Sequence, residues 1–154
     1  MKHLVSAALL ALASLSAISA NAQVTVKDAW ARATVPAAKA SGAFLQIESK
    51  TDARLVGVSS PVGMAELHQM SMQDNRMSMA HVEAIDLPAG KAVQLAPGGY
   101  HVMLMGLKRQ LKEGETVPLT LVVEQKGGKR DSVEVQVAVR PLTYAPPQHT
   151  PPRH

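Results

Sequence analysis

Residues 118–140, PLTLVVEQKGGKRDSVEVQVAVR, indicate the fold class, because apolar and polar side chains alternate on both sides of a glycine-rich turn. Alternation with a period of two places every second side chain on the same face of a β-strand. The turn Lys126-Gly127-Gly128-Lys129 supplies the glycines that a tight hairpin needs. We therefore expect a β-hairpin over these residues.

The same alternation recurs along the chain in short runs separated by Gly, Pro and Asp. Short strands at a spacing of about 8–12 residues are typical of an antiparallel β-sandwich or Greek-key barrel, so we expect an all-β fold. The segment 106–114, GLKRQLKEG, is compatible with one helical turn or with a loop. The nine candidate strands are 24–34, 42–49, 53–60, 64–70, 77–85, 91–97, 101–107, 117–125 and 131–140.

Both ends of the chain differ from this pattern. Residues 1–22 have an early lysine, an apolar run and the ending Ala20-Asn21-Ala22, which predict a secretory signal peptide cleaved before Gln23. An uncleaved anchor is the alternative, although the run is short and rich in Ala and Ser. We expect one domain over 23–141, a flexible Pro/His-rich tail over 142–154, and no membrane span in the mature chain.

Composition argues against several classes of function. The chain has no cysteine, so disulfides, catalytic thiols and thiolate metal sites are excluded. The net charge of +4 is scattered and the four aromatic residues are not interleaved with basic ones, so nucleic-acid binding is poorly supported. No nucleophile with a partner base and no paired catalytic carboxylates stand out, so we do not expect an enzyme.

Three segments combine histidine with methionine at alternate positions. His68 is followed by Met70 and Met72, His81 is preceded by Met79 and Met77, and His101 is followed by Met103 and Met105. The polar stretch Gln73-Asp74-Asn75-Arg76 suits a hairpin turn between the first two segments. In that hairpin Met72 faces Met77, Met70 faces Met79, and His68 faces His81.

Thioether and imidazole together, without thiolate, favour Cu(I), which is a soft ion. Such ligands are neutral, and unlike thiols they are not lost to disulfide formation outside the cytoplasm. We expect the site to hold copper until histidine protonation competes with metal binding below about pH 6. The alternative is that the methionines fill the core. In the tail, His149 and His154 are candidate Cu(II) ligands, and the alternative there is a disordered tail without a metal.

The segments resemble the metal motif of periplasmic copper chaperones of the PCuA(C) family, in which His, ten residues, Met, twenty-one residues, His, one residue and Met follow in order. His68, Met79, His101 and Met103 match all four positions and the gaps between them. The flanking block AGKAVQLAPGGYHVMLMGLKRQLKEGETVPLTL is also similar to the family. The resemblance covers roughly residues 23–140.

The resemblance implies a cupredoxin-like β-sandwich in the periplasm that carries Cu(I) on those four residues. It also implies delivery toward the copper centre of cytochrome c oxidase, with an oxidase subunit or a thiol-containing assembly factor as acceptor, and we expect a monomer. A copper buffering or resistance protein is the alternative with the same site, and a structural sandwich with Met in its core is the alternative without one. Roles around the ligands, on an access path or in the core stay open for Met70, Met72, Met77, His81 and Met105.

Overall fold

The computed structural model describes residues 23–146, which form ten β-strands and no α-helix. The strands belong to one hydrogen-bonded sheet in the order β5-β4-β8-β2-β1-β10-β9-β3-β6, with β7 paired to β2. The strands are β1 Val24–Arg32, β2 Ala40–Ser49, β3 Ala53–Ser59, β4 Met64–Gln73, β5 Arg76–His81, β6 Ile85–Leu87, β7 Ala92–Leu95, β8 Tyr100–Met105, β9 Thr116–Gln125 and β10 Arg130–Arg140.

The sheet closes over one apolar core, as expected for a sandwich. Side chains from the two ends of the strand order meet in this core. Leu45 of β2 and Leu104 of β8 come from one end, and Leu55 of β3 and Leu121 of β9 come from the other. Burial of such side chains stabilises the fold by about 25 cal/mol per Å² of apolar surface removed from water. The sheet has two edge strands, β5 and β6, so the described strands form an open sandwich and not a closed barrel.

The hairpin of β9 and β10 confirms the prediction from its alternating pattern. Gly127 and Gly128 both have positive φ, and the amide of Gln125 donates to the carbonyl of Lys129 across the turn. Alternate residues of β9, such as Leu119 and Leu121, are buried, while their neighbours are half-exposed.

Two features differ from the expected strands. The segment expected as one strand over 77–85 is split, because β5 pairs with β4 whereas β6 pairs with β3 on the other half of the sheet. The fold is antiparallel except between β1 and β10, which run parallel with Trp30 opposite Ala138. Of the two alternatives for 106–114, the loop is correct.

The last described residues continue past β10 and contact β1. The ring of Tyr144 lies edge-on to Trp30 at 4.9 Å between centroids, and Arg32 Nη1 donates to the carbonyl of Leu142 at 3.1 Å. The expected domain boundary near Pro141 stays a prediction. Residues 1–22 and 147–154, which include the expected signal peptide and the candidate ligands His149 and His154, lie outside the described residues.

Candidate functional site

Three histidines form a row across the outer face of the sheet. His68 on β4 is directly paired with His81 on β5 and with His101 on β8. The centroid of the His68 ring is 5.9 Å from that of His81 and 5.9 Å from that of His101. The residues that alternate with this row, such as Leu67 and Val102, point into the core. The row therefore lies on the face opposite the core.

Two aromatic rings extend the row beyond His101. Phe44 on β2 lies 6.1 Å from His101 between ring centroids, and Trp30 on β1 lies 4.5 Å from Phe44. These rings cover the outer face beside His101, which is 5% exposed although it stands outside the core. Sequence reasoning missed both rings as neighbours of the site, since β1 and β2 lie far from the motif along the chain.

His68 has one engaged and one free ring nitrogen. Its Nε2 lies 3.0 Å from the Glu66 carboxylate, so in the neutral ring Nε2–H donates and Nδ1 carries the lone pair. Nδ1 is buried and has no hydrogen-bond partner. A buried acceptor without a partner is costly and calls for an explanation, and a metal ion would supply one. The sequence did not predict a role for Glu66 in the site, although Glu66 lies two residues before His68 on the same face of β4.

His101 is oriented in a similar way by the backbone. Its Nδ1 lies 3.3 Å from the carbonyl oxygen of Gly99 and donates to it, which leaves the Nε2 lone pair free. Burial lowers the pKa of His101 below 6.5, the Gly99 carbonyl raises it in part, and the nearby His68 lowers it again. The neutral, metal-binding form of His101 therefore persists to a lower pH than that of a free imidazole.

Met103 stands next to this histidine pair, and Met79 stands further away. Met103 follows His101 by two residues on β8 and pairs with Glu66 on β4. Met79 pairs with Met70, which places it diagonally from His68 and on the side away from Met103. With strands about 4.8 Å apart and about 3.3 Å per residue, the Cα atoms of Met79 and Met103 would be about 16 Å apart on a flat sheet. The structure thus brings together three of the four residues of the motif and keeps Met79 at the margin.

All seven methionines in the described residues lie on this outer face and none is buried. The alternative in which the methionines fill the core is therefore wrong. The reason is that β4, β5 and β8 send their other face inward, where Leu67, Val102 and Leu104 pack. His81 is exposed at the edge strand. The methionines are Met64, Met70, Met72, Met77, Met79, Met103 and Met105.

The donor set is made of imidazoles and thioethers. Within residues 23–146, no group of three or more His, Cys, Asp or Glu side chains is placed to hold a metal ion. Two free imidazole nitrogens beside a thioether fit a soft ion such as Cu(I), whereas Ca²⁺ and Mg²⁺ require oxygen ligands. Over the same residues, no helix is long and apolar enough to cross a membrane.

The LpqE-like family, described as "Putative lipoprotein LpqE-like", matches residues 24–139. A curated relative, "Putative lipoprotein Lxx21020" of Leifsonia xyli subsp. xyli, is 33% identical over 100 residues. That match covers 64% of this chain and 60% of the relative, so it spans less than two thirds of the relative's length.

Solved structures share the fold. The copper-bound PCuAC domain from PmoF2 is 25% identical with a TM-score of 0.61, over 77% of this chain and 93% of that domain. Apo-DR1885 from Deinococcus radiodurans is 31% identical with a TM-score of 0.57, over 91% of this chain and 95% of that one. The Cu(I) form of DR1885 is 32% identical with a TM-score of 0.52, over 80% and 85% of the two chains.

Proposed function

The chain belongs to the LpqE-like family, which is the family of PCuAC domains, and on this premise we propose that it is an exported copper chaperone with one Cu(I) site on the outer face of β4 and β8. The observation that carries the proposal is the pair His68 and His101. Each ring donates from one nitrogen to an oxygen of the protein and leaves the other nitrogen free. Such partners hold an imidazole in the tautomer and orientation that a metal needs.

The proposed ligands are His68, Met79, His101 and Met103. His68, His101 and Met103 lie on directly paired strands, and Met79 completes the set when β5 bends over His68 toward β8. Four neutral ligands of this kind suit Cu(I) and give it no charge compensation. Binding is therefore looser than by thiolates, and a thiol-containing acceptor can remove the ion.

Release is the second half of the proposed function. The acceptor is an oxidase subunit on the way to the cytochrome c oxidase copper centre, or a thiol-containing assembly factor. The site sits near the edge of the sheet, with only β5 outside β4, so an acceptor's ligands can approach it from the side of the exposed His81. No electron is transferred, because copper enters and leaves as Cu(I).

A Cu(I) titration of residues 23–154 against a chromogenic chelator tests the site. The double variant His101→Ala, Met103→Ala removes two ligands, and we expect the tight equivalent to weaken by at least about a hundredfold, since even the loss of an outer partner costs 10–100-fold. The control, His81→Ala, Met64→Ala, removes the same residue types from the same face and should bind the tight Cu(I) equivalent with unchanged affinity. Equal binding by both variants would refute the site.

Transfer separates a chaperone from a copper buffer. Cu(I)-loaded protein is mixed with a soluble oxidase copper-centre fragment or with a thiol-containing assembly factor, and copper is followed to the acceptor. Transfer faster than the release measured with the chelator alone supports delivery. Transfer no faster than release favours the buffering alternative.

A further inference from the structure

The paired part of the β4–β5 hairpin, residues 68–81, carries four methionines on one face. Met72 is directly opposite Met77 and Met70 is directly opposite Met79, and directly opposed side chains have Cβ atoms about 4.5–5.5 Å apart. Asp74 and Asn75 form the two-residue turn, with φ of 49° and 59°. This turn holds the strands in register, so the thioethers form a compact group.

The proposed chaperone site uses only Met79 of this group, and core packing does not explain the others. Met72 is 65% exposed and Met77 is 52% exposed, so they bury little apolar surface. The opposite face of the hairpin has Ser71 across from Ser78 and is also largely exposed. The hairpin therefore extends beyond the core with a thioether face and a polar face. Three exposed methionines together, Met72, Met77 and Met79, are unusual on a protein surface.

We propose that Met70, Met72 and Met77 form a second Cu(I) site made of thioethers alone. Thioether sulfur is a soft ligand that suits Cu(I), and the three residues lie on one face of two paired strands at the turn end of the hairpin. With no imidazole and with two of its three ligands exposed, this site binds more weakly than the histidine site and exchanges its ion faster.

Met79 connects the two sites. It faces Met70 across the hairpin and lies diagonally from His68, so it borders both the hairpin methionines and the histidines. A Cu(I) ion captured at the hairpin can pass to the histidines by exchanging ligands one at a time through Met79. This loading role rests on the proposed function, whereas the hairpin site itself rests only on Met70, Met72 and Met77.

The test follows the methionine methyl groups by NMR in residues 23–154, labelled with ¹³C at the methionine methyls, as Cu(I) is added without oxygen. We expect the first equivalent to shift Met103 and Met79 and the second to shift Met70, Met72 and Met77. The variant Met72→Leu, Met77→Leu should lose the second equivalent and keep the first. The control Met64→Leu, Met105→Leu removes the directly opposed pair at the other end of β4 and should keep both.

The two proposals fail separately. A second equivalent that is absent, or that survives Met72→Leu, Met77→Leu, overturns the hairpin site and leaves the histidine site standing. A first equivalent indifferent to His101→Ala, Met103→Ala overturns the chaperone site, whereas the hairpin signals would still report the second. Loss of the second Cu(I) equivalent in the Met64→Leu, Met105→Leu control as well would also overturn the hairpin site. Binding would then depend on methionines in general and not on those of the hairpin.

Discussion

The ring of Phe44 lies across Gly42 on the outer face of β2. A Cβ atom added to Gly42 would stand 3.0 Å from Phe44 Cζ, closer than a normal contact. Gly42 is also the residue paired with Met103 of β8. The missing side chain at position 42 thus lets the aromatic ring cover the space beside the proposed copper ligands.

Gly42→Ala should therefore displace the Phe44 ring. We expect a loss of about 1 kcal/mol in the free energy of unfolding from overpacking, together with weaker Cu(I) binding. Urea denaturation and chelator competition measure the two effects. The control is Gly57→Ala, where the new Cβ would make an ordinary contact of 3.6 Å with Val122 Cβ. Equal behaviour of the two variants would contradict the covering role of Phe44.

Glu66→Ala should weaken copper binding by about tenfold without removing a ligand. The carboxylate accepts a hydrogen bond from His68 Nε2, and such partners orient a ligating imidazole and increase its basicity. Cu(I) affinity by chelator competition is the measurement. Glu48→Ala, on β2 opposite Thr25, is the control. Tighter binding in Glu66→Ala would instead mean that Glu66 competes with copper for His68.

The metal-free protein should lose stability as the pH falls below 6.5. Burial holds the pKa of His101 below that ordinary value. Between the lowered pKa and 6.5 the unfolded chain therefore binds more protons than the folded one, so the free energy of unfolding decreases as the pH decreases. We compare denaturant midpoints at pH 7.5 and pH 5.0. His101→Gln should show a smaller pH dependence than the wild type. The same dependence in both proteins would exclude His101 as the cause.

Peroxide should oxidise the methionines in order of exposure. Met72 and Met64, exposed by 65% and 61%, should become sulfoxides before the half-buried Met103 and Met105, and peptide mass mapping at short times gives the order. A sulfoxide is polar and no longer a soft thioether, so mild oxidation should remove the second copper equivalent before the first. Uniform oxidation of all seven would contradict the observed burial.

A chain that ends at Pro141 should expose the sole tryptophan. Tyr144 packs on Trp30 at 4.9 Å between ring centroids, and such aromatic pairs contribute about 0.5–1.5 kcal/mol. We expect red-shifted Trp30 emission and a lower denaturation midpoint relative to a chain that ends at Pro146. Identical emission from the two chains would show that the residues after Pro141 do not pack in solution.

The hairpin register was predictable from sequence because it is local. A period of two and a polar turn are sufficient to pair His68 with His81 and Met70 with Met79, and the structure has both pairs. The turn is tighter than the four residues expected, since Gln73 and Arg76 are themselves paired. The strong preference of Asp and Asn for positive φ explains the difference.

Contacts between distant strands were less accessible to sequence reasoning. The pairing of His68 with His101 joins β4 to β8, and no pattern within either strand specifies its neighbour. The spacing motif places all four proposed ligands on one face, as observed, but it contains no information on the separation of Met79 from Met103. The acid at Glu66 gave no signal either, since a glutamate on an outer face is usually solvated.

The parallel pairing of β1 with β10 determines when the sheet can be completed. Their paired residues, such as Trp30 and Ala138, are more than a hundred positions apart along the chain, yet the two strands are adjacent in the middle of the strand order. Until β10 pairs with β1, the strands that carry the histidines (β5, β4 and β8, joined through β2 to β1) are not hydrogen-bonded to β9, β3 and β6. Contacts between distant residues slow folding, so we expect the β1–β10 pairing, which joins the two halves of the sheet, to form late.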